Sequence, residues 1–472
     1  MTRPFLVQRP FRCLVLALLS VGATGCISRG AGRADLPAPP PPPVREVLDT
    51  ARTSVEAAVL AQEAGMLAQS GVLPFTGTVG HLAAATPDST HLLVALSMAS
   101  QALTFRREGE QYRATYSVTL TLRRAGASVL RIDASEVVRV AGFRETSRSD
   151  ESIIFQQLLT VPPGEYQLQV DVRDDASGRR AGQTIPVSLP RMAAGTLSSP
   201  LPFYEVIPRL ARDSIPRLLL SPRSAAVFGR DSAIAVYFES YDMADAPPPV
   251  RLAVRVDGRV VWEQVVELVR GNGLRHGIAY VPVASIGLGV AEAALSAEGR
   301  SELARTSVFV AFGDDLPVTT WEDMLNYLQY FARPARLNAL REVDPTLRGL
   351  AWSEFVAATD PQPSTPEHEG LRAYFDRLRQ ANTRFAEDGM AGWKTDRGRV
   401  LLLLGEPDQI VDRFPAETGQ RGRFQVWEYL DDRVSVAFTS AFGANRWRLT
   451  PASEAEVESL VERRRRRAER MP

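Results

Sequence analysis

Apolar and polar residues alternate with a period of two through much of the chain between about residues 90 and 312. The clearest run covers the eleven residues Tyr112–Leu122, and shorter runs occur at Val129–Ile132 and Tyr166–Val172. Successive side chains of a strand point to opposite faces of a sheet, so this period predicts half-buried β-strands. Many short strands separated by turn residues favour antiparallel β-sandwiches over an α/β fold.

The turn residues divide this region into two predicted β-sandwich domains, at residues 88–190 and 203–312. A stretch rich in Pro, Ser and Gly separates them, from Pro190 to Pro202. Asp257-Gly258 lies between two alternating runs, which predicts a tight hairpin. The stretch Val161–Asp174 resembles a late hairpin strand of an immunoglobulin-like sandwich, so immunoglobulin-like domains are expected.

The amino terminus has the pattern of a secretory signal. Three arginines precede the apolar run Cys13–Val21, and small residues follow as far as Cys26. The run is too short to span a bilayer stably. The residues before Cys26 resemble a lipobox, although Ala23 stands where leucine is usual. This implies a signal peptide at 1–26 and lipidation of Cys26. Ordinary signal cleavage and an uncleaved anchor stay open as alternatives.

Composition agrees with an exported protein. The chain has 472 residues, of which 45% are hydrophobic and 23% charged, which suits two to four globular domains. Its formal net charge of zero gives no reason to expect nucleic-acid binding. Cys13 leaves with the signal and Cys26 is the predicted lipid site, so the mature chain has no thiol for a disulfide or a nucleophile. A proline-rich linker at 27–43 and a helical segment at 44–75 are predicted next.

The apolar period becomes helical after about residue 313. Thr320 and Asp323 predict a capping box, Thr346–Ala358 a second helix, and Thr365-Pro366 the start of a third. The third helix carries an apolar stripe of Leu371, Tyr374, Phe375, Leu378 and Phe385.

Strands are predicted again after these helices. The apolar run Val400–Leu404 predicts a buried central strand, and Asp431-Asp432 a hairpin between Phe424–Leu430 and Val434–Phe438. Arg446–Leu449 predicts the last strand. Helices followed by a sheet predict a small α+β domain at 313–452.

Residues 392–408 resemble the signature of the GWxTD domain, a bacterial envelope family linked to the Por (type IX) secretion apparatus, whose biochemical activity is not established. The resemblance implies an accessory or scaffold lipoprotein of the cell envelope, held by its lipid at the outer membrane and facing the periplasm. Envelope or secretion proteins are its expected partners. The signature residues, with a structural or docking role, are Gly392, Trp393, Thr395, Asp396, Arg397, Gly398, Gly405, Glu406, Pro407 and Asp408.

Two interpretations of the signature are possible. Thr395 and Asp396 are good helix caps, Trp393 would pack on the preceding helix, and Gly398 would allow either a close backbone approach or a positive φ. Alternatively, three carboxylates beside two arginines would form a general acid–base site; these residues are Asp396, Glu406, Asp408, Arg397 and Arg399. Cap and turn roles demand the same residue types, so the structural interpretation is favoured.

No cofactor, metal or enzyme activity is predicted. The four histidines are scattered over three predicted domains, and no two have the spacing of zinc ligands. Nucleotide-binding and hydrolase motifs are also lacking in the sequence. Three functions stay open: docking of a partner near Trp393 and Glu406, glycan or peptide binding on an aromatic platform of Trp427, Tyr429 and Trp447, and hydrolysis by the carboxylates.

A basic helix is predicted at the carboxyl terminus, residues 453–472. Ser453 opens a capping box, and a narrow apolar stripe follows. Five arginines end the helix, either as a solvated end or as a contact for anionic lipid; these are Arg463, Arg464, Arg465, Arg466 and Arg467.

Overall fold

The fold is mainly β, with antiparallel sheets followed by helices, as predicted. It is seen in a computed structural model, which describes residues 66–69, 71–147, 152–228, 230–241, 248–297, 304–311, 320–365, 368–387, 389–413, 423–440 and 446–468. Within these ranges no helix is long and apolar enough to cross a membrane. The predicted signal peptide, Cys26 and the proline-rich linker lie outside the described residues.

The first sandwich contains nine strands in two sheets. One sheet has the order β1-β2-β3-β7; in the other, β5 pairs with β4, β6 and β8, and β8 pairs with β9. Helix α1, Phe143–Thr146, follows β6. The strands β1 to β9 are Leu67–Gln69, Phe75–Ala83, Thr90–Ala99, Arg106–Glu108, Gln111–Arg124, Ala127–Val140, Ser152–Val161, Gly164–Asp174 and Arg180–Leu189.

Alternation in the sequence explains how these sheets pack. On β5 the buried apolar side chains are Ala114, Tyr116, Val118, Leu120 and Leu122, and they face the core between the two sheets. Strand β3 is buried at nine consecutive positions, which means that both faces of its sheet are covered. The Tyr166 hydroxyl donates to the Pro162 carbonyl over 2.7 Å at the start of β8, the kind of bond called a tyrosine corner in sandwich proteins.

The second sandwich also has two sheets, with the orders β11-β10-β13-β17-β16 and β12-β19-β18-β14-β15. Its pairs are antiparallel except β12 with β19. Asp257 and Gly258 form the predicted hairpin turn between β14 and β15, with φ of +49° and +77°. The strands β10 to β19 are Leu201–Ile207, Arg217–Leu220, Ala225–Val227, Ala233–Tyr241, Val250–Val256, Arg259–Val266, Val269–Arg270, Leu274–Pro282, Gly289–Ala297 and Ala304–Ala311, with helix α2 at Val283–Ile286.

The two sandwiches pack through a buried surface that we call the first joint. It lies between sheet β1-β2-β3-β7 and sheet β11-β10-β13-β17-β16. This packing covers the second face of β3. The apolar residues of the joint are Leu82, Leu93, Ala95, Leu201, Phe203, Leu218, Leu220 and Tyr237.

A charged network is buried in the first joint. Arg209 donates from Nε and Nη2 to the two carboxylate oxygens of Glu239, over 2.9 and 2.7 Å, and both side chains are at most 1% exposed. The hydroxyls of Tyr237 and Tyr241 donate to the same carboxylate over 2.7 and 2.6 Å. Arg209 also donates to the carbonyl of Ala83 in the first sandwich over 2.7 Å. The network therefore ties the two sandwiches together.

The C-terminal region, residues 320–468, consists of helices followed by an antiparallel sheet of order β20-β21-β22-β23 and a last helix. Thr320 caps the first helix by accepting from the Asp323 amide over 3.1 Å, as predicted. The helices α3 to α8 are Trp321–Tyr327, Pro334–Arg341, Arg348–Thr359, Glu369–Phe385, Asp396–Leu404 and Pro451–Ala468; the strands β20 to β23 are Gln409–Arg413, Arg423–Tyr429, Val434–Ser440 and Arg448–Leu449.

The C-terminal region packs on the second sandwich at an interface that we call the second joint. On the side of the sandwich lie α2 and the β14–β15 hairpin. On the other side lie α5 and the turn that precedes it. A side chain on Gly349 would come within 1.6 Å of the Ala284 carbonyl oxygen, so the two backbones touch there. Arg348 pairs with Asp257 over 2.6 Å, and Arg259 pairs with Asp344. One apolar core runs from Leu197 to Leu460, across the predicted boundary at residue 313.

Two predicted elements were wrong. Residues 400–404 belong to helix α7 rather than a strand, and nearly all of their side chains are buried. A short run that is apolar on every side has no readable period, so a buried helix and a buried strand look alike in sequence. The helical segment predicted at 44–75 lies mostly outside the described residues, but its end forms β1 and opens β2. The first sheet therefore begins before residue 88.

Two predicted helix starts were also displaced. Helix α6 begins at Glu369, and His368 caps it in place of Thr365. Helix α8 begins at Pro451, and Thr450 accepts from the Ser453 amide over 3.3 Å. The Ser453 hydroxyl instead accepts from the Ala437 amide of β22 over 2.9 Å, so a tertiary contact takes the predicted capping group.

Candidate functional site

Thr395 organises the turn that precedes α7. Its hydroxyl donates to the Gly392 carbonyl over 2.7 Å and accepts from the Gly398 amide over 3.1 Å. Residues Gly392–Lys394 form a short 3-10 turn, and α7 starts immediately after Thr395. The predicted cap is therefore Thr395. Asp396 has a different contact, because its carboxylate accepts from the Leu449 amide of β23 over 2.8 Å.

The two glycines of this turn are required by close packing. A side chain on Gly392 would come within 1.9 Å of the Ala381 carbonyl oxygen on α6. One on Gly398 would come within 1.9 Å of the Gly392 carbonyl oxygen. Neither residue has a positive φ, so space rather than backbone conformation excludes other residues. The close approach predicted for Gly398 is confirmed.

Trp393 is buried between α6 and α3. Its amide donates to the Asn382 side chain over 3.1 Å, and its ring meets Tyr327 edge to face, with centroids 5.3 Å apart. The side chain is thus unavailable to a partner in this conformation. The neighbouring Lys394 is exposed, with its ammonium 5.1 Å from the centre of the Trp393 ring.

Arg397 belongs to a stack of rings and guanidinium groups. Its guanidinium lies 5.0 Å from the Phe385 ring and 4.9 Å from the Trp447 ring, and Arg423 lies 5.1 Å from that same tryptophan. Burial lowers the pKa of Arg397 to about 10, and Glu387 at 3.9 Å opposes that shift. Planar guanidinium groups suit such stacking. No local sequence pattern predicts this role, because the four residues of the stack come from four separate segments of the chain.

The second half of the signature forms the turn after α7. Gly405 ends the helix with φ of +86°, and its carbonyl accepts from the Tyr429 hydroxyl over 3.1 Å. Glu406 accepts from Arg384 on α6 over 2.7 Å. Asp408 accepts from the Leu430 amide over 2.7 Å and holds the β21–β22 hairpin. The signature therefore connects α6, α7 and the sheet.

Residues 296–452 match the family model of the GWxTD domain. The chain carries a GWxTD domain. The matched region starts within β18, so it includes β19 of the second sandwich as well as most of the C-terminal region.

Other comparisons add little. No curated protein matches the chain. A biofilm-associated protein BSP domain is 8% identical with a TM-score of 0.16, over 54% of each chain. Alpha-2-macroglobulin of E. coli is 12% identical with a TM-score of 0.18, over 51% of this chain and 16% of that one. Fibronectin(III)-like modules of Clostridium thermocellum CbhA are 11% identical with a TM-score of 0.13, over 47% and 84%. The chain thus spans about half of the biofilm-associated chain, and these scores are too low to support an argument.

The carboxylates of the GWxTD domain are engaged separately. Asp396 binds the β23 backbone, Glu406 binds Arg384, and Asp408 binds the β21–β22 hairpin. Among the described residues no group of three or more His, Cys, Asp or Glu side chains could hold a metal ion. Each of the three carboxylates therefore has a contact of its own within the domain.

The proposed aromatic platform is buried. Trp427 is 0% exposed, and Tyr429 and Trp447 are also in the core. The Trp427 indole donates to the Gln425 side chain over 2.9 Å, and its ring packs on Phe385. Trp427 and Tyr429 are two residues apart on β21 and share its covered face, and Trp447 lies just before β23. The structure therefore offers no surface platform made of these three side chains.

The four histidines are spread over the two sandwiches and the C-terminal region, as the sequence suggested, but three of them lie on the sheets that meet at the first joint. His81, His91 and His276 all lie on strands at the first joint, whereas His368 caps α6. Burial lowers the pKa of both His81 and His91 to about 4. His81 Nδ1 lies 3.0 Å from the Ser199 hydroxyl, and His91 Nδ1 lies 2.9 Å from that of Thr160. His81 and His91 are therefore uncharged at neutral pH.

Proposed function

We propose that this protein is a non-enzymatic envelope lipoprotein that acts as an accessory or scaffold subunit of an outer-membrane secretion or assembly machine. It would be anchored through Cys26, face the periplasm and dock a protein partner. The observation that supports a scaffold is the pair of joints, because a buried charged network and a shared apolar core hold the two sandwiches and the GWxTD domain as one body.

The signature supports docking more than chemistry. Its threonine, its glycines and its carboxylates are occupied by contacts inside the domain. The surface next to it stays accessible, and Lys394 is the exposed residue of the Gly392–Lys394 turn. A partner would therefore contact the outside of this turn and the Glu406 turn rather than enter a cleft.

Lys394 makes this proposal testable, because it is the only lysine in the sequence. An amine-reactive photocrosslinker would label the purified full-length protein at Lys394 and otherwise only at a free N-terminal amine. Labelled protein would be mixed with native envelope membranes and irradiated, and its adducts identified by mass spectrometry. We expect a defined envelope protein to be captured through Lys394.

Two variants control the experiment. Lys394→Arg keeps the charge and removes the amine, so capture should fall to the background of the N-terminal label. The double variant Lys394→Arg with Arg336→Lys moves the amine to an exposed position on α4 and should not capture the same protein. Equal capture by all three proteins, or no capture by any, would reject docking at the signature.

A further inference from the structure

Two arginines of α6 lie beside the turn that follows α7. Arg377 and Arg384 are seven residues apart, which places them on one face of the helix. Arg384 is paired with Glu406 of the turn over 2.7 Å. The guanidinium of Arg377 lies next to Gly405, 4.0 Å from the point where a side chain on that residue would begin. Both arginines therefore border the Gly405–Asp408 turn.

A third arginine reaches the same corner from α8. Arg464 donates to the Leu404 carbonyl at the end of α7 over 2.8 Å, and from Nε to Asp432 over 3.1 Å. It thus complements the negative end of the α7 dipole and has its own carboxylate. Arg384 therefore has a carboxylate partner, and Arg464 uses three of its five N–H donors in contacts with Asp432 and Leu404.

Arg377 has no such partner. Its Nε is buried without a hydrogen-bond acceptor, and it forms no ion pair within the described part of the chain. Burial lowers the pKa of Arg377; Tyr374 opposes this shift, and the charge of Arg464 adds to it. A half-buried cation next to a second cation is costly unless an anion joins them. The α7 dipole does not explain Arg377, because Arg464 already binds the carbonyl there.

We propose that Arg377 and Arg464, beside the open turn at Gly405, form a binding site for a phosphate group. A doubly charged tetrahedral oxyanion can accept from two guanidinium groups at once and offset both of their charges, which a neutral ligand cannot do. Gly405 leaves the space above Arg377 clear of a side chain. The phosphate would come either from solution or from a lipid headgroup. This inference does not depend on the proposed protein docking.

The proposed phosphate site lies next to the basic end of α8. Arg463 donates to Ser459 over 2.8 Å and Arg466 to Glu462 over 3.1 Å, so both are held within the helix. Arg465 and Arg467 extend the positive charge beyond Arg464. Arg377 would bind a headgroup phosphate at one fixed position, whereas these helix-end arginines would attract any anionic surface.

Binding of inorganic phosphate to the full-length protein tests the site directly. Calorimetric titrations at fixed ionic strength would compare wild type with Arg377→Gln, Arg377→Lys and Arg336→Gln. We expect at least tenfold weaker binding for Arg377→Gln, a smaller loss for Arg377→Lys, and no change for Arg336→Gln, whose arginine is exposed on α4. Circular dichroism would establish that each variant is folded.

Vesicle flotation separates the two sources of phosphate. Phosphatidylcholine vesicles would be compared with vesicles containing phosphatidic acid, which presents a phosphate monoester. If wild type binds both inorganic phosphate and these vesicles, with both losses in Arg377→Gln, the site takes phosphate from either source. Loss confined to one assay identifies that source. The proposal is overturned if Arg377→Gln and wild type behave alike in both assays, or if wild type binds neither probe.

Discussion

The two joints of this molecule hold their neighbours by different means. The first joint surrounds a bidentate ion pair, Arg209 with Glu239, that is almost fully removed from solvent. The second joint has one ion pair on the surface, Arg259 with Asp344, and one, Arg348 with Asp257, whose arginine is only 12% exposed. It relies on backbone contact at Gly349 and on a common apolar core. The first joint thus depends on hydrogen bonds to a few buried polar atoms. The second joint is stabilised by many side chains together.

This difference predicts how each joint fails. Glu239 accepts from Arg209 and two tyrosines, and Arg209 also binds a carbonyl of the first sandwich, so loss of one member leaves the others buried without partners. In the second joint, removal of an exposed charge leaves its partner free to bind water. Chemically similar substitutions should therefore have very different costs at the two joints.

The largest effect is expected for Glu239→Gln. This change leaves the Arg209 charge buried without its counter-charge, which costs about 3–5 kcal/mol of unfolding free energy. Urea denaturation followed by circular dichroism would measure it. Glu263→Gln is the matched control, because its ion pair with Arg251 is about half exposed and should be worth less than about 1 kcal/mol. Equal costs for the two variants would show that the first joint does not depend on its network.

The first joint should also be sensitive to acid. Burial lowers the pKa of His81 to about 4, whereas the unfolded value is 6.5. The unfolded chain therefore binds more protons between these values, so stability is complete above about pH 6.5 and is lost as the pH falls to 4. His81 alone accounts for about 3 kcal/mol over this window. Denaturation at pH 7 and 4.5 should show a smaller difference for His81→Gln than for wild type. An unchanged difference would contradict the assignment to His81.

The first joint also marks the limit of what the sequence could reveal. Alternation located most strands, and Asp257-Gly258 located a hairpin, because these signals are local. Arg209, Glu239 and Ala83 are brought together only by the packing of two domains, and no local pattern announces such a contact. The same is true of the stack around Arg397.

The candidate site was predictable in part. Thr395 as a cap and Gly398 as a close contact follow from residue type, because few other residues can fill these roles. The run at 400–404 was placed in the wrong element, since burial on all sides removes the period on which the prediction depended. Trp427 and Tyr429 of β21 could be placed on a strand, but which face of that strand would be covered depends on the packing of α6.

An intermediate effect is expected for Gly349→Ala at the second joint. The new methyl group would need the space held by the Ala284 carbonyl, at 1.6 Å, so α2 and α5 must separate. Overpacking of this kind costs about 1–3 kcal/mol. Gly142→Ala is the control, because its nearest contact would be a side-chain oxygen at 3.9 Å. If Gly349→Ala melts at the wild-type temperature, the backbone contact is not what holds this joint.

The smallest effect is expected for Arg259→Gln, which removes the pair with Asp344. Both side chains are well exposed, at 62% and 38%, so the pair should contribute less than about 1 kcal/mol, and salt should screen that contribution. Asp344 keeps its bonds to the Thr346 amide and hydroxyl, at 3.0 and 2.8 Å, so its own turn should survive the change. Urea denaturation of wild type and variant, at low salt and in 1 M sodium chloride, would measure the difference. A loss of unfolding free energy as large as that of Glu239→Gln, and unchanged by salt, would mean that the second joint also depends on a few charges. An interface that is stabilised mainly by a shared apolar core should lose little when one exposed arginine is removed.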